Sequence, residues 1–157
     1  MATMGSSCLN RREVFDPLRK IWVAATPEEI VRQKLLLKMT DELGYPKELL
    51  AVEKELAELP HIAPKNLPQR RIDILCYGKN IHPGHALYPL LLIECKKEKL
   101  SSAAKEQLLG YNAFVQAYFV AAVSKEEVLF GFRVGKDYEF LAFLPPYAQL
   151  LAQVKRG

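Results

Sequence analysis

The chain has 157 residues, of which 50% are hydrophobic and 25% are charged, and its formal net charge is +4. This length suffices for one domain with a hydrophobic core and is short for two. The composition excludes fibrous and mainly disordered proteins. No stretch of the sequence approaches the ~20 apolar residues that a membrane span requires. The small excess of positive charge is compatible with a polyanionic partner but does not by itself indicate one.

The cysteines indicate a reducing environment. Cys76 and Cys95 lie in apolar segments, and together with Cys8 they form neither a zinc-binding pattern nor an even set for disulfides. The N-terminus contains no apolar run of the kind found in signal peptides. We therefore expect a cytoplasmic protein in which residues 1–17 form a flexible leader and residues 18–157 form a single domain.

The clearest helix start follows a short predicted strand at residues 18–25. Thr26 suits the N-cap, Pro27 the first helical position, and Glu29 the third, where its side chain can bond back to Thr26. The helix is expected to run to about Leu43, because a glycine and a proline follow soon after it.

Two strands are predicted on either side of a loop rich in glycine, asparagine, histidine and proline. Residues 71–77 and 90–96 are apolar segments that carry a few charges, which is typical of strands in a buried sheet. The segment before them, residues 48–59, has leucine and valine spacings that fit a helix better than a strand, but its assignment stays open.

The second half of the chain contains a helix, further strands and a terminal helix. Ser101 can cap a helix over residues 102–115, residues 118–123 form a buried strand, and residues 135–137 indicate a hairpin turn. A short helix follows Pro145. The order of helices and strands predicts an α/β sandwich with a central mixed sheet flanked by helices. Its core is expected to include three large aromatic residues, Trp22, Phe114 and Tyr118.

Asp73, Glu94 and Lys96 are the candidate catalytic residues. Glu94 and Lys96 project from the same face of their strand, while Cys95 points to the other face. Charges at the end of an apolar strand are costly unless they have partners or a function. If the two strands pair, Asp73 approaches Glu94, and carboxylates ~4 Å apart repel by ~4 kcal/mol at an effective dielectric of about 20. A divalent cation turns this repulsion into a binding site, and such oxygen ligands suit Mg²⁺ or Mn²⁺.

Lys96 has a defined role in such a site. Its ammonium can orient or deprotonate the attacking water, or offset charge in the transition state, while the metal polarises a phosphodiester. The alternative is a structural ion pair between Lys96 and one of the carboxylates. His82 and His85 have no further metal ligands in their loop, so a zinc site is not expected there.

These residues resemble the PD-(D/E)xK nuclease signature, since Ile72-Asp73 is followed about twenty residues later by Ile93-Glu94-Cys95-Lys96. The proline that names the motif is absent, because Arg71-Ile72 stand before Asp73. More specifically, the chain is similar to the N-terminal nuclease domain of type I restriction enzyme R subunits, in the RecB-like branch. This similarity covers roughly residues 20–125 and rests on three further segments, Thr26-Pro27-Glu28-Glu29-Ile30-Val31-Arg32-Gln33, Leu43-Gly44-Tyr45-Pro46 and Gln107-Leu108-Leu109-Gly110-Tyr111-Asn112.

The resemblance implies a restriction-endonuclease-like fold and a Mg²⁺-dependent nuclease acting on DNA. In the family a Q-x-x-x-Y pair supports nucleic-acid binding, and Gln107 and Tyr111 match it, one helical turn apart. The alternative is that Tyr111 belongs to the core and Gln107 is a solvated amide. Arg71 and Lys97 flank the site, where they either contact phosphates or form a solvated basic rim.

Glu28 is the helix residue expected to join the site, because the family often adds a helix glutamate to its metal shell. Glu28 falls on the helical stripe that Val31 and Leu35 form, whereas Glu29 lies to one side and already has a capping role. An ion pair between Glu28 and Arg32 is the alternative.

Two functions are consistent with these residues. The first is a metal-dependent nuclease that hydrolyses DNA phosphodiester bonds, and the second is a non-cleaving nucleic-acid-binding or scaffold module of the same fold. The R subunits of the family also contain an ATP-driven translocase, but this chain has no G-x-x-x-x-G-K-[ST] loop. We therefore expect DNA as the main partner, with a translocase or other restriction subunit in trans, or a second copy of the chain, as further partners.

Overall fold

The computed structural model describes residues 12–59, 61–62 and 71–156, with only the backbone of Arg156. These residues form a six-stranded mixed sheet, helices that pack against it, and a separate two-stranded hairpin. The elements in chain order are β1 (Glu13–Asp16), β2 (Ile21–Ala24), α1 (Pro27–Asp41), β3 (Leu50–Glu55), β4 (Arg71–His82), β5 (His85–Cys95), α2 (Ser102–Val115), β6 (Phe119–Val123), β7 (Val128–Val134), β8 (Asp137–Leu141) and α3 (Tyr147–Arg156). The predicted α/β sandwich with a central mixed sheet is confirmed.

The sheet has the strand order β3-β4-β5-β6-β7-β8. Its neighbouring strands are antiparallel except for β5 and β6, which are parallel and are connected through α2. A parallel pair needs such a crossover connection, because the chain must return to the starting end of the sheet. The pairing of β4 with β5 confirms that the segments carrying Asp73 and Glu94 are neighbours.

Two hydrophobic cores lie on opposite faces of the sheet. Helices α1 and α3 cover one face, with residues such as Leu36 and Leu150, while α2 covers the other with Leu108 and Val115. The central strands contribute to both cores, which explains the uninterrupted apolar sequence of residues 90–93. Within the described residues, no helix is long and apolar enough to cross a membrane.

Helix caps confirm the predicted helix starts. The Thr26 hydroxyl accepts a hydrogen bond from the backbone N–H of Glu29 (3.1 Å), and the Ser101 hydroxyl accepts one from Ala104 (3.2 Å). The reciprocal bond from the Glu29 side chain to Thr26 is not made, because that carboxylate binds arginines instead. The sequence did not decide the structure of residues 48–59. This segment contains β3, flanked by two short 3₁₀ turns.

The hairpin of β1 and β2 lies partly within residues 1–17, which the sequence assigned to a flexible leader. Asp16 is fully buried and accepts hydrogen bonds from the backbone N–H groups of Leu18 and Arg19, which fixes the turn. Residues 13–16 are therefore a paired strand rather than a leader. Residues 1–11, including Cys8, lie outside the described residues.

Two of the three aromatic residues expected in the core are exposed. Trp22 retains 64% of its accessible surface and packs edge-to-face on Phe15, and Phe114 retains 42%. The prediction is wrong for Trp22 because β2 belongs to the outlying hairpin and not to the main sheet. Tyr118 is partly buried against the core, and its hydroxyl donates to the carbonyl oxygen of Ile81.

Candidate active site

Asp73 and Glu94 face each other where β4 and β5 run side by side. Ile74 pairs with Ile93 in the antiparallel register, so the next step along the ladder brings Asp73 opposite Glu94. The two carboxyl groups interact with each other, and Asp73 Oδ2 accepts a hydrogen bond from the backbone N–H of Cys95 at 2.7 Å. Both strands therefore fix the position of the Asp73 carboxylate.

Burial sets the electrostatics of this pair. Glu94 retains only 5% of its surface, and the Asp73 side chain retains 21%. Burial raises the pKa of Asp73 above its usual value, although the hydrogen bond from Cys95 and the charge of Arg32 both oppose this effect. A cation bound between the carboxylates would lower the energy of their charged forms.

The regular alternation of β4 is broken at Asp73. Ile72 and Ile74 would point to the same face of a regular strand, but Ile72 packs in the α2 core and Ile74 in the α1 core. On the neighbouring strand, Glu53 lies opposite Asp73 and has φ of 59°, in the left-handed region. A non-glycine residue rarely adopts this conformation, and such strain often occurs at functional sites.

Lys96 extends from the end of β5 toward α2. Its Nζ donates to Oε1 of Gln107 over 2.9 Å, and its backbone N–H donates to the carbonyl of Val123. The sequence left open an ion pair between Lys96 and Asp73 or Glu94. Among the described residues, the partner that Nζ contacts is the Gln107 amide and not a carboxylate.

A cleft of about 420 Å³ opens beside this lysine. Lys96, Gln107 and Glu28 line it, together with Lys97 at the strand end. Four residues singled out from the sequence thus come together in one cleft. Arg71 is also near the site, but its side chain is 62% exposed and pairs with Glu53 and Glu55.

Glu29, rather than Glu28, is the inward-pointing acid of α1, so the sequence-based orientation is wrong. Glu29 retains 5% of its surface, whereas Glu28 is half-buried at the cleft. The buried face of α1 is wider than the predicted stripe, because Arg32 and Leu36 are buried as well. Burial tends to raise the pKa of Glu29, but hydrogen bonds from Arg32 and Gln33 outweigh it and lower that pKa.

Arg32 connects the helix to the candidate catalytic carboxylate. It binds Glu29 through two nitrogens (3.0 and 2.7 Å), and its Nη1 lies 2.6 Å from Glu53 Oε1 and 3.4 Å from Asp73 Oδ1. Although burial alone would lower the pKa of Arg32, these carboxylates raise it, and the guanidinium stays charged. The sequence suggested an Arg32–Glu28 pair, and the partner is Glu29 instead. Sequence reasoning missed Glu53 altogether, since its segment could not be assigned.

Tyr111 does not reach the cleft, although it lies one turn from Gln107 on α2. It retains 5% of its surface and packs with Leu108 and Val115 in the α2 core. A nucleic acid cannot contact a side chain that is buried in this way. The core interpretation of Tyr111 is therefore correct, and its predicted role in nucleic-acid binding is wrong, whereas Gln107 is exposed at the cleft.

The donor set at Asp73 and Glu94 fits a hard divalent cation. Within the described part of the chain, no group of three or more histidine, cysteine, aspartate and glutamate side chains is arranged to hold a metal ion. Mg²⁺ commonly takes only one or two protein carboxylates and keeps several waters. Asp73 and Glu94 are the residues that would hold such an ion.

Facing carboxylates on paired strands, with a lysine two residues after the second, are consistent with a PD-(D/E)xK nuclease-type α/β protein. The model of the family described as type I restriction enzyme R protein N terminus (HSDR_N) matches residues 27–145, and the chain belongs to this family. The match extends from the start of α1 to just beyond β8 and includes every residue of the candidate site. No curated protein matches the chain significantly.

Proposed function

We propose that this domain is a metal-dependent nuclease that hydrolyses phosphodiester bonds in DNA. The observation that carries the proposal is the placement of Asp73 opposite Glu94, with Lys96 and Gln107 in the adjoining cleft. Membership in the family of restriction R protein N termini also supports a nuclease, because R proteins belong to DNA restriction systems.

Asp73 and Glu94 are proposed to hold Mg²⁺ or Mn²⁺. The bound ion would polarise the phosphodiester and lower the pKa of a coordinated water. The hydrogen bond from the Cys95 backbone keeps the Asp73 carboxylate at the strand pair, so it needs little reorganisation on binding. The burial of Glu94 keeps water away from its side of the site and strengthens electrostatic interactions there.

Lys96 is proposed to stabilise the charge that develops on the scissile phosphate. Its ammonium lies in the cleft, held by the Gln107 amide at 2.9 Å, and an amide acceptor leaves its positive charge unneutralised. A fixed charge of this kind stabilises a transition state without reorganisation. Glu28, which also lines the cleft, is proposed to contact the metal site through water.

The second candidate is a non-cleaving nucleic-acid-binding or scaffold module of the same fold. A module that had lost catalysis would not need a positioned Lys96 beside two facing carboxylates, and this favours the nuclease. Other restriction subunits or a translocase are proposed as partners in trans, as the family suggests.

The decisive experiment is incubation of the purified chain with supercoiled, linear and single-stranded DNA in Mg²⁺, Mn²⁺ or EDTA. We expect cleavage that depends on the metal and is abolished in Asp73→Ala and in Glu94→Ala. Calorimetry should detect weak Mg²⁺ or Mn²⁺ binding that both substitutions remove. Glu55→Ala is the matched control, since this exposed carboxylate on β3 should change neither measurement.

Two results would contradict the nuclease. Metal binding that persists in both variants would mean that these carboxylates do not form the site. DNA binding without cleavage under every condition, with and without candidate partner subunits, would favour the non-cleaving module.

A further inference from the structure

A second depression, here called the lysine groove, lies between α1 and the turn that joins β6 to β7. It has a volume of about 660 Å³, and its floor consists of aliphatic side chains such as Val31 and Val128. Four lysines line the groove, Lys34, Lys38, Lys97 and Lys125.

The lining of the lysine groove is positively charged. Its lining contains no aspartate or glutamate, and within the described residues none of the four lysines forms an ion pair. Glu126 and Glu127, which follow Lys125, line a neighbouring depression that Lys97 and Lys125 also border. Four positive charges around one groove attract an anionic ligand.

The lysine groove continues the candidate active-site cleft. Lys97 lines both depressions, and Pro27 in the groove is followed directly by Glu28 in the cleft. A polyanion held in the groove can therefore extend past Lys97 into the cleft, where Lys96 and Lys99 add positive charge beside Glu28 and Glu98. An acidic peptide could also pair with the four lysines. The continuity of the groove with the candidate active-site cleft favours a nucleic acid instead, because the cleft is proposed to bind a phosphodiester.

The dimensions of the groove suit a nucleic-acid backbone. Lys34 and Lys38 lie one helical turn apart, and from Pro27 to Lys38 the helix rises about 16 Å. This distance corresponds to about five base pairs at the spacing of DNA phosphates. Ammonium groups on an aliphatic floor contact phosphates and sugars without reading bases, so the contact is independent of sequence.

We propose that the lysine groove binds the phosphate backbone of the nucleic-acid substrate as it leaves the active-site cleft. This inference rests on the proposed nuclease function and adds the path of the substrate to it. The groove increases the affinity for long substrates, whereas the phosphodiester bond that is cut binds only in the cleft.

The test compares Lys34→Gln/Lys38→Gln with the wild-type chain and with Lys136→Gln/Lys155→Gln. The control pair removes the same charge from exposed positions that line neither depression. DNA affinity is measured in EDTA across a salt series, with one duplex confined to the cleft and another at least about five base pairs longer on either side. Cleavage of both duplexes is then measured in Mg²⁺, and melting temperatures confirm that all variants are folded.

We expect the groove variant to bind the longer duplex roughly tenfold more weakly, with a salt slope lower by roughly 1.8, or 0.9 for each lost phosphate contact. The shorter duplex should be bound and cleaved as by the wild type. If the salt slope of the groove variant equals that of the control pair, the proposal is overturned. The groove would then be a candidate binding site for an acidic protein partner. If the groove variant shows the expected loss but the wild type never cleaves, the groove stands and the nuclease function fails.

Discussion

Arg32 lies closer to Glu53 than to Asp73, although one nitrogen faces both carboxylates. Nη1 of Arg32 is 2.6 Å from Glu53 Oε1 and 3.4 Å from Asp73 Oδ1. Glu53 thus draws the guanidinium away from the carboxylate that is proposed to hold the metal. The left-handed backbone of Glu53, with φ of 59°, brings its side chain to this position.

We predict that Glu53→Gln weakens Mg²⁺ or Mn²⁺ binding by roughly tenfold. Without the Glu53 charge, Arg32 moves onto Asp73, and a charge-assisted hydrogen bond of about 1.5–3 kcal/mol then competes with the metal. Calorimetric titration of the folded variant measures this directly. Glu55→Gln on the same strand, which removes an exposed carboxylate, should bind metal like the wild type. Equal affinities in the two variants would rule out this role for Glu53.

We predict that Lys96→Ala slows DNA cleavage by ~100-fold or more and leaves DNA affinity nearly unchanged, as expected for the loss of a positioned charge-stabilising group. Gln107→Ala should slow cleavage less, by roughly tenfold, because the lysine remains but loses its 2.9 Å acceptor. Single-turnover rates separate these effects from binding. Cleavage by Lys96→Ala at a near wild-type rate would exclude the proposed role.

The melting temperature should not change in Gln107→Ala, since Gln107 is exposed, whereas Tyr111→Ala should destabilise the fold by about 3–5 kcal/mol. Denaturant unfolding measures the free energy of unfolding of both variants, whose substitutions lie on the same helix. If instead Gln107→Ala unfolds the domain, then Gln107 is a structural residue and its effect on cleavage cannot be assigned to Lys96.

The single tryptophan provides a test of the hairpin. Trp22 is 64% exposed, so its fluorescence in the native protein should be quenched by iodide almost as strongly as in the unfolded chain. Replacing it with alanine should cost little stability, because the side chain buries little apolar area. If iodide quenches the Trp22 fluorescence only after unfolding, then Trp22 is shielded in the native state and the hairpin packs differently.

His61 makes folding stability depend on pH. Burial, together with the nearby His85 and His82 rings, lowers the pKa of His61 below its ordinary value of 6.5, and its Nε2 lies 2.6 Å from the Val115 carbonyl. The folded state therefore binds this proton less readily than the unfolded state does. The stabilisation is complete above pH 6.5 and is lost as the pH falls through the lowered pKa.

Melting temperatures measured between pH 8 and pH 5, which brackets the ordinary pKa of about 6.5, should fall for the wild type. His61→Gln, which keeps a hydrogen-bond donor but cannot titrate, should show a smaller fall. Lys136→Gln, which changes an exposed residue outside the histidine cluster, is the control and should follow the wild type. A fall of the same size in His61→Gln would assign the pH dependence to other groups.

Local chemistry in the sequence was enough to predict the helix starts, the central strands and the carboxylate pair. Thr26 and Ser101 cap their helices through bonds that span only three residues, and the apolar runs of β4 and β5 mark buried strands. The positions of Asp73 and Glu94 within those runs followed from the same pattern. The sequence by itself therefore determined the framework of the candidate site and the two acids that are proposed to bind the metal.

The tertiary structure alone decided which other residues surround that framework. Arg32 meets Glu53 across 21 positions and Asp73 across 41, and neither helical nor strand periodicity encodes contacts at such separations. The same holds for the ion pair between Arg19 and Glu29, which joins the turn after β1 to α1, whereas Arg32 and Glu29 are only three residues apart on one helix. Burial of a charged side chain depends on partners that packing brings near, and a pattern within one segment does not contain them.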